Sequence, residues 1–300
     1  MALPWALRGL RNGVLTSHYP RRTDPYFEEF PATVEVRHGH GTAEAIGALG
    51  SEATLDALCP TGALIAVDGL GSAIAVDRGT CIGCGRCVEA HPDVFAWRLG
   101  ADTTALTRHG LVARTGLGSQ REVEKVRSEL AGRVRALRRS VHIRHIDLGS
   151  DGSDEWEIQA LVNPVYDIHR LGIFFTASPR HADILMVTGI GAPAMRAPLQ
   201  RTREAMPDPV VVIAVGTDAV SGGLFNRGYA TSGGVGDLVD VDVWVPGSPP
   251  SPFSILHGIL LALDRLPSHR DASSRGPRAG KSVPGREAGR NSGPSGGGEA

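Results

Sequence analysis

CIGCGRC, residues Cys81 to Cys87, is the stretch on which the reading of this chain turns; VEAHP follows it, and Cys59 with Pro60 precedes it across a gap. Three thiols at two-residue spacing on one tight loop can reach three corners of an iron–sulfur cube, and the fourth corner then needs a remote Cys, commonly one followed by Pro. Cys59 meets that description. No other cysteine occurs in the 300 residues, so nothing is left over for a disulfide. Two other uses compete. A structural zinc site normally takes paired C-x2-C knuckles, which a three-in-seven run fits poorly. Two disulfides would belong to a secreted chain, and no signal peptide suggests one.

Two-cluster ferredoxins carry the run C-x2-C-x2-C-x3-C-P twice, with crossed ligands. Counting back from Cys59, the partner positions hold Leu49, Glu52 and Leu55; counting forward from Cys87, the position that would complete the missing set holds His91. Every ligand of one cluster is kept and every ligand of the other is replaced. The expectation is a single 4Fe–4S cluster on Cys59, Cys81, Cys84 and Cys87, with His91 as a hydrogen-bonding neighbour and not a ligand.

Three hundred residues allow about two domains. A formal net charge of −1 excludes the strongly basic character of a nucleic-acid binder. No apolar run approaches the roughly 18 residues that cross a bilayer. The N-terminus has no signal-like apolar core, so the expected location is the cytoplasm, where thiolates stay available to iron.

Leu3, Leu7, Leu10 and Val14 fall at helical spacing, with Arg8 and Arg11 on other faces. This short amphipathic helix could lie on a membrane surface, dock on a partner or pack on its own domain. LTSHYPRRTDPYFEEFP, residues 15–31, reads as extended. VEVRH, ALIAVDG and SAIAVD then alternate like short strands, and GTAEAIGALGSEATLDAL, ahead of Cys59, is Ala-rich enough for a helix. The histidines of HGHG, 38–41, read as a solvated turn, with no third His or carboxylate beside them. In residues 119–140, Ser119 and Glu122 have capping-box spacing, and Val123, Val126, Leu130, Val134 and Leu137 form one apolar stripe. This is read as a linker helix with a solvated charged face.

VHIRHIDL, GIFFTA, ADILMVTG, VVVIAVG and VDVDVWV are short β-branched runs that alternate with helical segments such as PAMRAPLQRTREAM and SPFSILHGILLALDRL. Such alternation implies a mainly parallel sheet covered by helices. Ligands of such sheets sit beyond the carboxyl ends of the strands. The loops there are GSDGSDE (149–155), GTDAVSGG (216–223) and PGSPPSP (246–252). VTGIGAP and TSGGVGD match neither a dinucleotide fingerprint nor a P-loop. Residues 267–300 are Pro, Gly, Ser and Arg with almost no apolar content, and are expected to be disordered. The expected plan is an N-terminal arm (1–32), an α+β ferredoxin-like 4Fe–4S domain (33–110), a linker helix (111–140), an α/β domain with a mainly parallel, flavodoxin-like sheet (141–266) and a tail (267–300).

SVHIRHIDLGS, NPVYDIHRLGI, SPRHADILMVTG, PDPVVVIAVG and VPGSPPSP resemble the cluster-bearing small subunit of membrane-bound nickel–iron hydrogenases and formate hydrogenlyase, and equally the quinone-proximal iron–sulfur subunit of respiratory complex I. The N-terminal half, from GVLTSHYP onward, is similar to the two-cluster ferredoxin-like subunit of the same complexes. The chain thus looks like a fusion of two electron-transfer subunits. The resemblance implies a large catalytic subunit as partner, contact with membrane subunits only indirectly, and a seat either free in the cytoplasm or peripheral on the inner face of the cytoplasmic membrane. It also implies a proximal cluster held by four cysteines on the strand-end loops. Those positions fall here on Asp151, Asp154, Asp218 and Ser248. Oxygen donors suit a hard cation such as Mg2+, Ca2+ or Mn2+, and not sulfide-bridged iron. The expectation is loss of the second-domain cluster without replacement. That would make the chain an electron-transfer subunit with a shortened relay, or alternatively a structural or assembly subunit.

Overall fold

The computed structural model describes residues 3–37, 49, 51–67, 73–113, 120–135, 137, 140–226 and 228–266. The HGHG turn, Ser119 of the capping box, residues 41–48 and the tail lie outside the described residues. The chain opens with α1 (Leu3–Asn12), whose side chains from Pro4 onward are exposed, so among the described residues nothing packs against it. Residues 15–31 are not extended throughout, because they contain a helical turn. Asp24 caps the turn α2 (Pro25–Glu28) by accepting from the N–H of Tyr26, and Pro25 at the first helical position has no N–H to leave unsatisfied.

A small module follows, made of β1 (Pro31–Val36), α3 (Glu52–Leu58), β2 (Leu64–Ala66), β3 (Ile74–Asp77), α4 (Arg86–Ala90), β4 (Phe95–Leu99) and β5 (Val112–Ala113). β1 pairs antiparallel with β4, while β3 takes β2 on one side and β5 on the other, both antiparallel. Val34, Leu64, Ile74, Val76, Val94 and Phe95 close its core. β4 was not anticipated from sequence. Phe95, Trp97 and Leu99 share one face of the strand, yet only Phe95 is buried while Trp97 and Leu99 are exposed, which gives FAWRL no clean apolar face.

α5 (Gln120–Val134) buries Leu130 and Val134 against the larger core, with Val126 and Leu137 packed partly against it. Val123, expected on the same stripe, is 43% exposed because only the C-terminal turns of the helix reach that core. Its charged face is not merely solvated, since Arg127 pairs with Asp264 and Arg133 with Asp242.

The larger sheet contains β6 (Val141–Asp147), β7 (Ile173–Phe175), β8 (Ile184–Thr188), β9 (Val211–Val215) and β10 (Val243–Val245), with α6 (Ser153–Ala160), α7 (Arg196–Glu204), α8 (Thr217–Ser221) and α9 (Pro252–Ala262) between or after them. All four pairings are parallel, in the order β10-β9-β8-β6-β7. Numbered within this domain the order is 2-1-3-4-5, the flavodoxin-like doubly wound arrangement with its switch point between β6 and β8. β8, β9 and β10 are buried on both faces, which is why their sequences are continuous Val, Ile and Leu runs without alternation. α9 is capped by Ser251, begins at Pro252 and is buried almost all round. Residues ahead of the sheet join its core: Tyr19 and Phe27 from the N-terminal arm and Ala101 and Leu106 after β4. Tyr19 stacks on Phe27 at 5.0 Å and meets Nδ1 of His257 at 2.6 Å. Both modules belong to one compact unit, Met1–Leu266.

Candidate metal centre

Cys59 ends α3, and Cys81, Cys84 and Cys87 lie on the loop from β3 into α4. All four line one recess, with Val34, Leu64, Val76 and Ile82 as apolar wall. Gly83 and Gly85 take φ of +65° and +78°, the left-handed conformations that let the loop fold back so that its thiols face one way. Backbone N–H groups are turned toward the sulfurs. The N–H of Ala63 donates to Cys59 Sγ at 3.2 Å, and those of Gly83 and Val34 favour the Cys81 thiolate. The hydroxyl of Thr33 also favours that thiolate, yet it is buried and makes no hydrogen bond of its own.

The electrostatics follow from crowding. Burial, offset by those N–H groups, leaves the Cys81 thiol raised, and burial followed by the charges of Cys81, Cys59 and Cys84 pushes Cys87 up to about 11. Four thiolates cannot share this recess without compensating positive charge. A cationic iron–sulfur core would supply that charge, and the N–H groups already turned toward the cysteine sulfurs would stabilise the thiolates that hold it, so the donor set fits the group. The thiols ring the recess and do not converge on a point. Among the described residues, no three His, Cys, Asp or Glu side chains are gathered to hold one metal ion.

The replaced ligand positions have a physical use. Leu49 and Leu55 are 4% and 2% exposed and belong to the module core, against which Cys59, Cys81 and Cys87 pack. His91 caps α4 by donating its N–H to the carbonyl of Cys87 at 2.9 Å.

Three residues that sequence reading missed fix the cluster loop. Asp77 accepts from the N–H of Gly79 and the hydroxyl of Thr80, and takes both Nη atoms of Arg108 at 2.8 and 2.7 Å. The Asp77 carbonyl accepts from the N–H of Cys81 at 3.0 Å. Across the boundary, Thr217 donates its hydroxyl to the carbonyl of Cys81 at 3.2 Å and accepts from the N–H of Gly247, so the loop is hydrogen-bonded onto the strand ends of the larger sheet. DRGTC hints at the turn through Asp77 and Thr80, but nothing in the sequence announces Arg108 or Thr217.

Of the four positions inferred for a second cluster, three come together. Asp151 follows β6, Asp154 lies in the first turn of α6 and Asp218 in the first turn of α8. Asp154 is 4% exposed, and its carboxyl packs onto Gly216, whose φ of +92° leaves no room for a Cβ. Burial and then the charges of Asp218, Glu155, Asp151 and Asp147 push it up to about 8. Burial also raises Asp218, with Asp151 and Glu155 adding to it. Asp151 is lowered by the hydroxyl and N–H of Ser153. Ser248 lines a cleft with Cys81, Ile82, Gly83, Glu157 and Tyr166, and its neighbour Gly247 is hydrogen-bonded to Thr217, the residue before Asp218.

Comparison with known proteins places both parts. Residues 152–262 match the family described as the 20 kDa subunit of NADH ubiquinone oxidoreductase, and residues 74–125 match a 4Fe–4S single cluster domain. Formate hydrogenlyase subunit 7 of Escherichia coli is 39% identical over 51% of this chain, a stretch that spans 60% of that protein's length. A probable membrane-bound hydrogenase subunit of Pyrococcus furiosus is 38% identical over 48% of this chain and 87% of its own. An uncharacterized protein of Methanocaldococcus jannaschii is 39% identical over 41% of this chain and 82% of its own. With the parallel sheet, its strand order and the ferredoxin-type region described above, these matches identify the chain as a member of the family of hydrogenase and complex I subunits related to the 20 kDa subunit of NADH ubiquinone oxidoreductase.

Proposed function

We propose that this chain is an electron-transfer subunit with a single 4Fe–4S cluster on Cys59, Cys81, Cys84 and Cys87, and that its second domain has given up the proximal cluster. The observation that carries the reading is that the four cysteines line one recess with N–H groups turned toward the sulfurs. When bound, such a cluster accepts and donates single electrons at a potential set by hydrogen bonds, charge and exposure. The chain's own residues do the rest. The N–H of Ala63 donates to Cys59 Sγ, those of Val34 and Gly83 favour the Cys81 thiolate, and the Asp77–Arg108 pair and Thr217 hold the loop against the second domain. Cys84 is the exposed thiol, so electrons enter from its side.

Formate hydrogenlyase subunit 7 and the membrane-bound hydrogenase subunit are, by their names, parts of larger assemblies, and on that analogy the partner is a large subunit of a hydrogenase-like or complex I-like complex. No described helix is long and apolar enough to cross a membrane. A cytoplasmic seat, peripheral on the inner face of the cytoplasmic membrane, agrees with the exposed Leu7 and Leu10 on α1 and with Arg8 and Arg11 beside them. The second reading, a structural subunit without a redox duty, draws on the oxygen side chains at all four proximal positions. Iron and acid-labile sulfide per chain after anaerobic reconstitution, with electron paramagnetic resonance of the reduced protein, decides between them. About four irons and one cubane signal are expected. About eight would restore a second cluster, and none would leave the structural reading.

A further inference from the structure

Next to the cluster loop lies a group of carboxylates with no assigned task. Asp154 presses on Gly216; the next residue, Thr217, hydrogen-bonds the carbonyl of Cys81; the one after, Asp218, carries the second carboxyl. One short piece of backbone, 216–218, therefore touches a buried acid, the loop of three cluster cysteines, and another acid. The other acids nearby are already engaged. Asp151 accepts from Ser153, Asp147 from the N–H groups of Gly149 and Ser150, and Glu155 from the hydroxyls of Ser150 and Thr188. Among the described residues no donor bonds the side chain of Asp154 or Asp218, and no Lys or Arg pairs with either. The groups facing Asp154 are Asp147 from the end of β6, Asp151 from the loop, Glu155 from α6 and Asp218 from α8. His145 lies 3.6 Å from Glu155 and is lowered by its own burial. A buried carboxyl among four others, without a cation, has one inexpensive way to lose its charge, which is to bind a proton.

We propose that Asp154 and Asp218 form a proton-binding site whose occupancy is coupled to reduction of the cluster on Cys59, Cys81, Cys84 and Cys87. The proposal rests on the cluster reading above. One electron from an external one-electron reductant adds one negative charge to the cluster. A proton from bulk water then joins a carboxylate oxygen of the pair, and no other bond in the protein forms or breaks. The coupling is electrostatic. By Coulomb's law at an effective dielectric of about 20, two unit charges roughly 12 Å apart interact by about 1.4 kcal/mol, a tenfold change in proton affinity, and closer charges by more. By linkage the cluster potential then falls as pH rises through the titration of the pair, by about 59 mV in total for a tenfold change. Below that window the site is protonated in both redox states, above it in neither, and the potential is flat at both ends.

The test is a potentiometric titration of the reconstituted full chain, followed by electron paramagnetic resonance, at intervals from pH 6 to pH 10. A fall of tens of millivolts in the wild type, absent from Asp154→Asn combined with Asp218→Asn, is the expected result. Asp154→Asn alone and Asp218→Asn alone each give a smaller fall, so a misfolded double variant does not end the test. A pH-independent wild-type potential, or a slope that survives in the double variant, overturns the proposal while leaving the cluster in place. Glu157, on the cleft beside Cys81, is the rival group; a slope removed by Glu157→Gln instead would also overturn it. Protein without iron or a cubane signal would remove the cluster, and the coupling with it.

Discussion

Replacing Asp154 by Asn should make the protein more stable, by an amount that grows with pH. The carboxyl is 4% exposed and raised to about 8 in the folded chain, chiefly by burial, against about 3.9 when unfolded. A folded-state pKa above the unfolded one means that folding takes up a proton. The stability attached to this group is fully present below about pH 4 and is lost progressively up to the folded pKa. At about 1.36 kcal/mol per unit, the loss between pH 5 and pH 8 is about 4 kcal/mol, an upper figure because water and side chains relax around a charged acid. Asn keeps the shape and carries no charge, so it escapes this loss. For a domain of this size about 4 kcal/mol corresponds to roughly 8–16 °C in Tm. The assay is urea or thermal unfolding of wild type and Asp154→Asn, followed by tryptophan fluorescence from pH 5 to pH 8.5. Taking the difference between the two proteins cancels the other titrating groups. A gap that opens with pH in favour of Asn is expected. A constant gap, or an Asn variant less stable at pH 8, would refute the claim that this acid is buried without a compensating partner.

Cys84→Ser removes an exposed ligand, so the chain should fold and fail to hold four irons; metal analysis and the cubane signal check it, and unchanged iron would displace Cys84 from the ligand set. Arg108→Met leaves Asp77 without its bidentate partner and should cost about 3 kcal/mol, read as a lower urea midpoint and faster cluster loss in air. Gly216→Ala forces a methyl into the Asp154 carboxyl from a left-handed backbone, and should lower Tm more than Gly233→Ala, where φ is also positive but no atom lies within 4 Å. Leu7→Glu with Leu10→Glu on α1 should abolish co-sedimentation with anionic vesicles without changing Tm, since neither side chain packs on the fold.

The parallel sheet was legible because its strands are buried on both faces, and burial of that kind writes Val, Ile and Leu runs such as VVVIAV directly into the sequence. The thiols were legible because ligand spacing is a local property of one loop. What escaped was either short or distant. The α2 turn has four residues, with its Pro in the one helical position that accepts it. β4 pairs with β1 across a gap that runs from Val36 opposite Phe95 to Pro31 opposite Leu99, with Gly100 donating to the carbonyl of Phe30 just beyond, and no single window of sequence contains both strands. Arg108 lies 31 positions from Asp77 and Thr217 lies 136 from Cys81, so both clamps exist only once the chain has folded. The aspartate positions were reachable through family resemblance alone; their burial and mutual crowding were not.

That burial bears on why aspartate stands where thiolates are expected. If the second-domain positions had only to be filled, Ser, Asn or Gly would do so at little cost, whereas an acid with neighbours of like charge and no cation lowers stability at neutral pH. Ser248 follows the inexpensive course; Asp154 and Asp218 do not. The stability and potential measurements together separate the two explanations. If Asn at 154 raises Tm and also flattens the pH dependence of the cluster potential, the cost has a purpose, and the acid has exchanged an electron site for a proton site. If it raises Tm while the wild-type potential ignores pH, the acid is a remnant that nothing has yet removed.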